Sequence, residues 1–289
     1  MESFLSKNLS LRRPASAYQL SAAVALTILL AVFEKFVTEY RNYTIEPVST
    51  IPWKMKGQFL LNGYVHFQKS FSDDRFTQRT EQIWQRETIL NYVTRSPALI
   101  DDHDMEGQAL YHAMLEHSVE RKRGMVIGGD SPWIAAVPLK LGASHMTVVE
   151  NTKILVEDYP RISYLSPRNL SLEYRVHAGS YDFVMSFSSL QHLGLGRFGE
   201  ALDPFADIEE AQKVRCLLKK EGLFFISVPI GWDILQWNLK RIYGRIRLAI
   251  LMAGFDIVDM YYKDKKERAH VDWFGGEAGR HPVFVLRKR

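Results

Sequence analysis

Between Gly124 and Asn151 the residues able to do chemistry are Gly128, Gly129, Asp130, Ser131, Trp133, Glu150 and Asn151. Two adjacent glycines permit positive φ and let the backbone approach a ligand closely, where a Cβ would intrude. Ser131 suits a helix N-cap and Pro132 the first helical position, where its missing N–H costs nothing. The free N–H groups of that helix start then face whatever lies in the turn. Glu150 closes a β-rich run, at the strand end where open α/β sheets bind ligands, and an acid there accepts hydrogen bonds from ribose hydroxyls.

The turn reads Gly-Gly-Asp-Ser-Pro-Trp and lacks the G-x-G-x-x-G pattern that cradles a pyrophosphate. Asp130 adds a negative charge that repels one. A cofactor bearing a cationic amine tolerates that acid better than a dinucleotide does, and S-adenosylmethionine (SAM) meets the condition. A βαβ unit that holds no ligand is the alternative, since a fold does not imply a function.

A second group lies in the glycine-punctuated loop from Ser188 to Asp207. Ser188 stands at the end of a strand and joins the candidate cofactor contacts. His192 is a candidate general base, because an unperturbed imidazole titrates near neutral pH. Arg197 has the planar fork that clamps a carboxylate or phosphate. Asp203, with Asp207, orients the loop or holds a cation; alternatively Arg197 pairs with Asp203 or Asp207 and the glycines only permit turns. No metal is assigned to these residues.

The elements that must position both groups follow from periodicity. Met125–Ile127 predicts a strand, 132–141 an amphipathic helix, and the run ending at Glu150 a second strand. After it, 152–159 predicts a short helix and 162–165 a short strand. Phe183–Phe187 predicts a strong strand, and 207–220 a helix with acids first and lysines last, as the helix dipole favours. The run LFFISVPIG is apolar throughout, as in a strand buried on both faces. Residues 234–252 predict a helical region, and 255–262 with 282–286 a closing strand pair. The fold class expected is α/β, a doubly wound, mostly parallel seven-stranded sheet.

Composition sets the limits. The chain is 46% hydrophobic and 24% charged over 289 residues, enough for one large core plus an extension. A net charge of +4 from scattered basic residues does not indicate nucleic acid as a partner. Cys216 is the only cysteine, which excludes an intrachain disulfide and a cysteine metal site.

Residues 15–33 form an uncharged, mostly apolar run of about bilayer length, with Lys7, Arg12 and Arg13 before it. The charge bias predicts a single-pass type II signal anchor in the endoplasmic reticulum or Golgi membrane; a cleaved signal peptide and a buried helix are the alternatives. The expected organisation is a cytosolic leader (1–14), anchor (15–33), stem (34–76), helical extension (77–120) and α/β domain (121–289). Asn42-Tyr43-Thr44 and Asn169-Leu170-Ser171 are sequons compatible with a lumenal domain. Asp102-His103-Asp104 forms a D-x-D, a divalent-metal pattern of sugar transferases, and reads alternatively as a helix cap and loop.

The arrangement resembles class I SAM-dependent methyltransferases: a glycine turn, an acid after the second strand, Tyr181-Asp182 opening the fourth, Leu218 to Gly222 before the fifth, and a terminal hairpin. More narrowly it resembles a Caenorhabditis protein family of unknown function with a methyltransferase-like fold. The residues that carry this are Ile127-Gly128-Gly129 with Pro132-Trp133, Val149-Glu150, Ser188-Ser189-Leu190 with His192, Gly194 to Gly199, Asp203-Pro204, Asp207, Val228-Pro229, Arg241 to Gly244 and Pro282 to Leu286. The resemblance covers about residues 120–289 and implies SAM as cofactor and an unknown acceptor. One departure stands out: the family usually has Ser-Ser-Leu-Glu-His, and Gln191 replaces that acid here. The expectation is a membrane-anchored methyltransferase-like protein. A catalytically inactive binding protein of this fold and a type II glycosyltransferase are the alternatives.

Overall fold

The computed structural model describes residues 46–77, 81–94, 104–263, 265–267 and 280–289. The expected anchor, residues 15–33, lies outside them, as do Asp102 and His103. Among the described residues no helix is long and apolar enough to cross a membrane.

The strands are β1 (His66–Lys69), β2 (Glu81–Trp84), β3 (Arg123–Ile127), β4 (His145–Val149), β5 (Lys153–Val156), β6 (Ile162–Leu165), β7 (Tyr181–Phe187), β8 (Leu218–Ser227), β9 (Ile234–Trp237), β10 (Lys240–Ile242), β11 (Phe255–Tyr262), β12 (Lys265–Glu267) and β13 (Val283–Lys288). The helices that matter here are α1 (Arg86–Thr94), α2 (Asp104–Glu116), α3 (Pro132–Lys140), α4 (Ala206–Leu217) and α5 (Arg245–Leu251). One sheet carries eight strands in the order β12-β11-β13-β8-β7-β3-β4-β6. Its strands β3, β4, β6, β7 and β8 are parallel. Strand β13 runs antiparallel to β8, and β11 to β13. This is the mostly parallel α/β sheet that was expected, with the short β12 as an eighth strand.

The central strands are apolar without interruption because both faces are covered. Val126, Val148, Met185, Phe225 and Val285 lie in one core with Trp133, Ile134 and Val137 of α3 and Leu110 and Met114 of α2. Their neighbours Met125, Val184, Phe224 and Leu286 alternate to the other face and are also buried. There the sheet meets α4, which buries Ala211, Val214 and Leu217. Each face removes enough apolar surface to hold the strands at about 25 cal/mol per Å².

Two local expectations are corrected. Residues 152–159 are not helical: Lys153–Val156 is β5, paired in parallel with β2. Its Ile-Leu-Val sequence favours a strand, and the partner arrives from far upstream with Glu81 receiving the ammonium of Lys153 at 3.1 Å. Residues 234–252 do not begin as a helix either. Ile234–Trp237 is β9, parallel to β1 and antiparallel to β10, and the helix α5 starts only at Arg245. Non-local pairing overrides the local apolar spacing in both places.

Residues 46–69, within the stretch read as a stem, pack onto this β9 hairpin. Phe59 meets Trp237 edge-on with ring centroids 5.1 Å apart, and the Trp237 indole N–H donates to the Val48 carbonyl at 2.9 Å. The hairpin and the helix α5 after it carry the cations that fix the loop after β7. Asp207, fully buried at the start of α4, accepts from Arg247 Nε at 3.0 Å and Nη2 at 2.6 Å, and from the Tyr243 hydroxyl at 2.9 Å. Buried Arg241 lies 3.7 Å from the same carboxylate and also donates to the carbonyls of Leu193 and Asp203. Burial alone would raise the Asp207 carboxyl, but the charges of Arg241 and Arg247 and the hydrogen bonds hold it below the usual value.

Asp207→Ala therefore leaves two buried guanidinium groups without their carboxylate, and a loss of about 3–5 kcal/mol is expected in denaturant unfolding. Because the folded value is depressed, the carboxylate's contribution is complete above the ordinary aspartate value of about 3.9 and disappears as pH falls through the lower folded value. An Asp207→Ala protein as stable as wild type at pH 7 would contradict this account of the loop.

Candidate functional site

Three parallel strands end at one edge, and the connections leaving β3 and β7 diverge to opposite faces of the sheet. In open α/β sheets such a divergence marks the crevice at the carboxyl ends where ligands bind. Gly128 follows β3 with φ +76, a conformation that disfavours any Cβ. Its N–H donates to the Val149 carbonyl at 3.0 Å, which ties the turn to the end of β4 beside Glu150. A Cβ on Gly128 would lie 2.0 Å from the Ser189 hydroxyl, so the loop after β7 also closes directly on this turn. The strand ends that lead to Gly128, Glu150 and Ser188 therefore lie together.

Gly129 is buried and Asp130 is exposed. Ser131 has the extended backbone of a residue preceding α3, but its side chain makes no capping hydrogen bond. Pro132 opens the helix. Trp133 is buried against Phe187 with ring centroids 5.2 Å apart, which places it in the core beneath the crevice. The Asn151 N–H donates to Glu150 Oε1 at 2.7 Å, and the Tyr164 hydroxyl donates to the Glu150 carbonyl at 3.1 Å.

Electrostatics distinguish Glu150 from a surface acid. Burial raises its carboxyl above the ordinary value; the Asn151 N–H opposes the shift and the charge of Asp130 adds to it. Two acids thus act on one another at the mouth of the glycine turn. Such a pair favours hydroxyl donors and cationic groups and repels a pyrophosphate.

On the other side of the crevice, His192 ends a 3₁₀ turn immediately after β7. Its ring contacts the Leu239 carbonyl through Nδ1 at 2.6 Å, and since a carbonyl only accepts, Nδ1 carries the proton. Nε2 is then the lone-pair nitrogen, the form a base requires. Burial lowers the His192 value, the Leu239 bond opposes that, and the cations Arg197, Lys240 and Arg241 lower it further. The imidazole is accordingly neutral at pH 7.

Arg197 is paired with neither Asp203 nor Asp207. Its Nε and Nη2 both reach Asp74 Oδ2 at 2.5 Å, and the Asp74 N–H donates back to the Arg197 carbonyl at 2.9 Å. Asp203 receives the Phe205 N–H at 2.8 Å and shapes the loop from within. Gln191 is buried and donates from Nε2 to the Ser188 carbonyl at 2.8 Å.

Sequence reasoning missed His281. The antiparallel β13 brings its start, rather than its end, to the carboxyl edge, and His281 Nδ1 lies 3.1 Å from Ser188 Oγ. A histidine directly before the last strand was the available signal. Asp74 and Asn238 were missed as well: Ser72 N–H donates to Asn238 Oδ1 at 2.9 Å and Asn238 Nδ2 to the Ser72 carbonyl at 3.0 Å.

Comparisons with known proteins bear on the same region. The family described as Caenorhabditis protein of unknown function, DUF268, matches residues 121–277. No curated protein matches the chain. Among solved structures, the chain is similar to a Burkholderia thailandensis 1,6-didemethyltoxoflavin-N1-methyltransferase with bound S-adenosylhomocysteine, at 17% identity over 70% of this chain and 85% of that one, TM-score 0.45. It is also similar to a SAM-dependent methyltransferase from Mesorhizobium loti, at 16% identity over 65% and 99%, TM-score 0.44.

Replacing Gly128 by Ala tests the turn. With positive φ and Ser189 in the way, a cost of about 1–3 kcal/mol is expected, read as a lowered denaturation midpoint with unchanged slope. An unaltered midpoint would show that the corner tolerates a Cβ.

Proposed function

The chain belongs to the family described as Caenorhabditis protein of unknown function, DUF268, and we propose that it is a SAM-dependent methyltransferase acting on a protic acceptor. The observation that carries this reading is the convergence of Asp130 and Glu150 beside the positive-φ Gly128, where burial and mutual repulsion both raise the Glu150 carboxyl. Glu150 would accept from the ribose hydroxyls, Asp130 would face the cationic amino-acid portion, and Gly128 and Gly129 would let the backbone lie close. Ser131, Asn151 and Trp133 shape that cradle from the helix start, the strand end and the core. SAM supplies a methyl group already activated on a sulfonium, so alignment of the acceptor provides most of the acceleration.

His192 would accept a hydrogen bond at Nε2 on the acceptor side. Arg197 and Asp203 support the loop that carries it, so their roles are positional in this reading. An inactive binding protein of the same fold is the second reading. Gln191 motivates it, yet that amide is used to hold the Ser188 carbonyl, a bond an ionised carboxylate cannot donate.

Isothermal calorimetry with S-adenosylhomocysteine tests the cradle. Binding is expected for the wild type and a weakening of about 10-fold or more for Glu150→Ala, as for loss of hydrogen bonds to a charged group worth about 1.5–3 kcal/mol. No heat with wild type at high micromolar ligand would reject the cofactor.

We further propose, from the apolar run at 15–33 and the basic residues before it, that the chain is a type II membrane protein of the endoplasmic reticulum or Golgi. The full-length protein should then stay with membranes on alkaline carbonate extraction and carry a glycosidase-sensitive mass at Asn42. Release into the supernatant would reject the anchor.

A further inference from the structure

Ser188 is held in an unusual state. At φ +47 it is a non-glycine residue in the left-handed region, at the end of the central strand β7. Its backbone is pinned from both sides, with its N–H donating to the Ser227 carbonyl at 3.1 Å and its carbonyl receiving the Gln191 amide at 2.8 Å. Strain of this kind persists only where the surroundings enforce it, and it gathers at functional sites. The consequence here is directional: the Ser188 hydroxyl is aimed at His281 Nδ1, 3.1 Å away. The neighbouring residue, Ser189, packs on Gly128, so the pair stands next to the glycine turn.

We propose that Ser188 and His281 form a hydroxyl–imidazole pair through which a methyl acceptor whose attacking atom bears a proton, a hydroxyl or an amine, loses that proton. The acceptor class rests on the methyl-transfer reading above; the pair itself does not. The acceptor's proton passes to Ser188 Oγ as the Ser188 hydroxyl proton passes to His281 Nδ1, with His281 in its Nε2–H form. The methyl group takes the proton's place on the acceptor, and the imidazolium returns the proton to water. Ser188 and Gln191 then acquire a joint purpose, since Gln191 fixes the backbone that aims the hydroxyl. An acceptor that attacks as a preformed anion would have no use for the pair.

An imidazole that draws on a serine hydroxyl also makes that oxygen a better nucleophile. The full-length protein is therefore treated with a fluorophosphonate probe, and modification is followed by intact mass and peptide mapping. Wild type is expected to be modified at Ser188. His281→Gln keeps a hydrogen-bonding side chain but no base, and His281→Ala removes both; each should slow modification about tenfold or more. Absence of modification at Ser188, or an unchanged rate in His281→Gln, overturns the pair.

Calorimetry with S-adenosylhomocysteine on the same three proteins separates this from the cofactor reading. Binding in all three, with rapid modification in wild type alone, supports the proposal. Modification of wild type without any S-adenosylhomocysteine binding removes methyl transfer, and with it overturns the acceptor class.

Discussion

Gly128 has no space for a side chain, and this one steric condition sets the geometry of the whole carboxyl edge. The Ser189 hydroxyl fills the volume where a Cβ would stand, and the Gly128 N–H is spent on the Val149 carbonyl. The ends of β3, β4 and β7 are drawn to one place as a result. A glycine in the left-handed region accomplishes this at little conformational strain, whereas any other residue would push the β7 loop outward. Because Gly128 carries no side chain, Ser189 occupies that corner beside the ends of the strands that lead to Asp130, Glu150 and Ser188.

That close approach needs a rigid loop on the β7 side, and the buried charges provide it. The Asp207 carboxylate, Arg241, Arg247 and the Tyr243 hydroxyl are removed from water together, with both guanidinium groups and the hydroxyl drawn to the one carboxylate. Asp233, also buried, receives the N–H groups of Gly244, Ile246 and Arg247 and so anchors the start of α5. A network of this kind gives a loop one arrangement, because any partial breakage leaves a charge in a medium of low dielectric. Specificity of shape is what such a network adds to the apolar core beneath it.

The N-terminal segment contributes a second tie. Asp74 holds Arg197, and the amide of Asn238 exchanges two hydrogen bonds with the Ser72 backbone. Residues upstream of β3 therefore form part of the wall around the loop that bears His192. Arg197 looks like an anion clamp by residue type. In the fold it is a strut, because its charge is already matched at 2.5 Å.

The sequence by itself determined the central strands and the βαβ unit that carries Gly128 and Glu150. Glycine turn, helix start and acid lie within one βαβ unit, and periodicity with short-range chemistry suffices to place residues that near in the chain. The terminal hairpin was legible for the same reason. Tertiary structure alone decided what surrounds Ser188 and Arg197. Ser188 meets His281 only because β13 is antiparallel, Arg197 meets Asp74 only because β1 docks on β9, and β5 is a strand only because β2 arrives beside it. Each of these contacts joins residues far apart in the chain, and their local sequences fit other partners equally well. Long-range pairing is settled by which apolar faces are buried together, and a linear pattern does not carry that information.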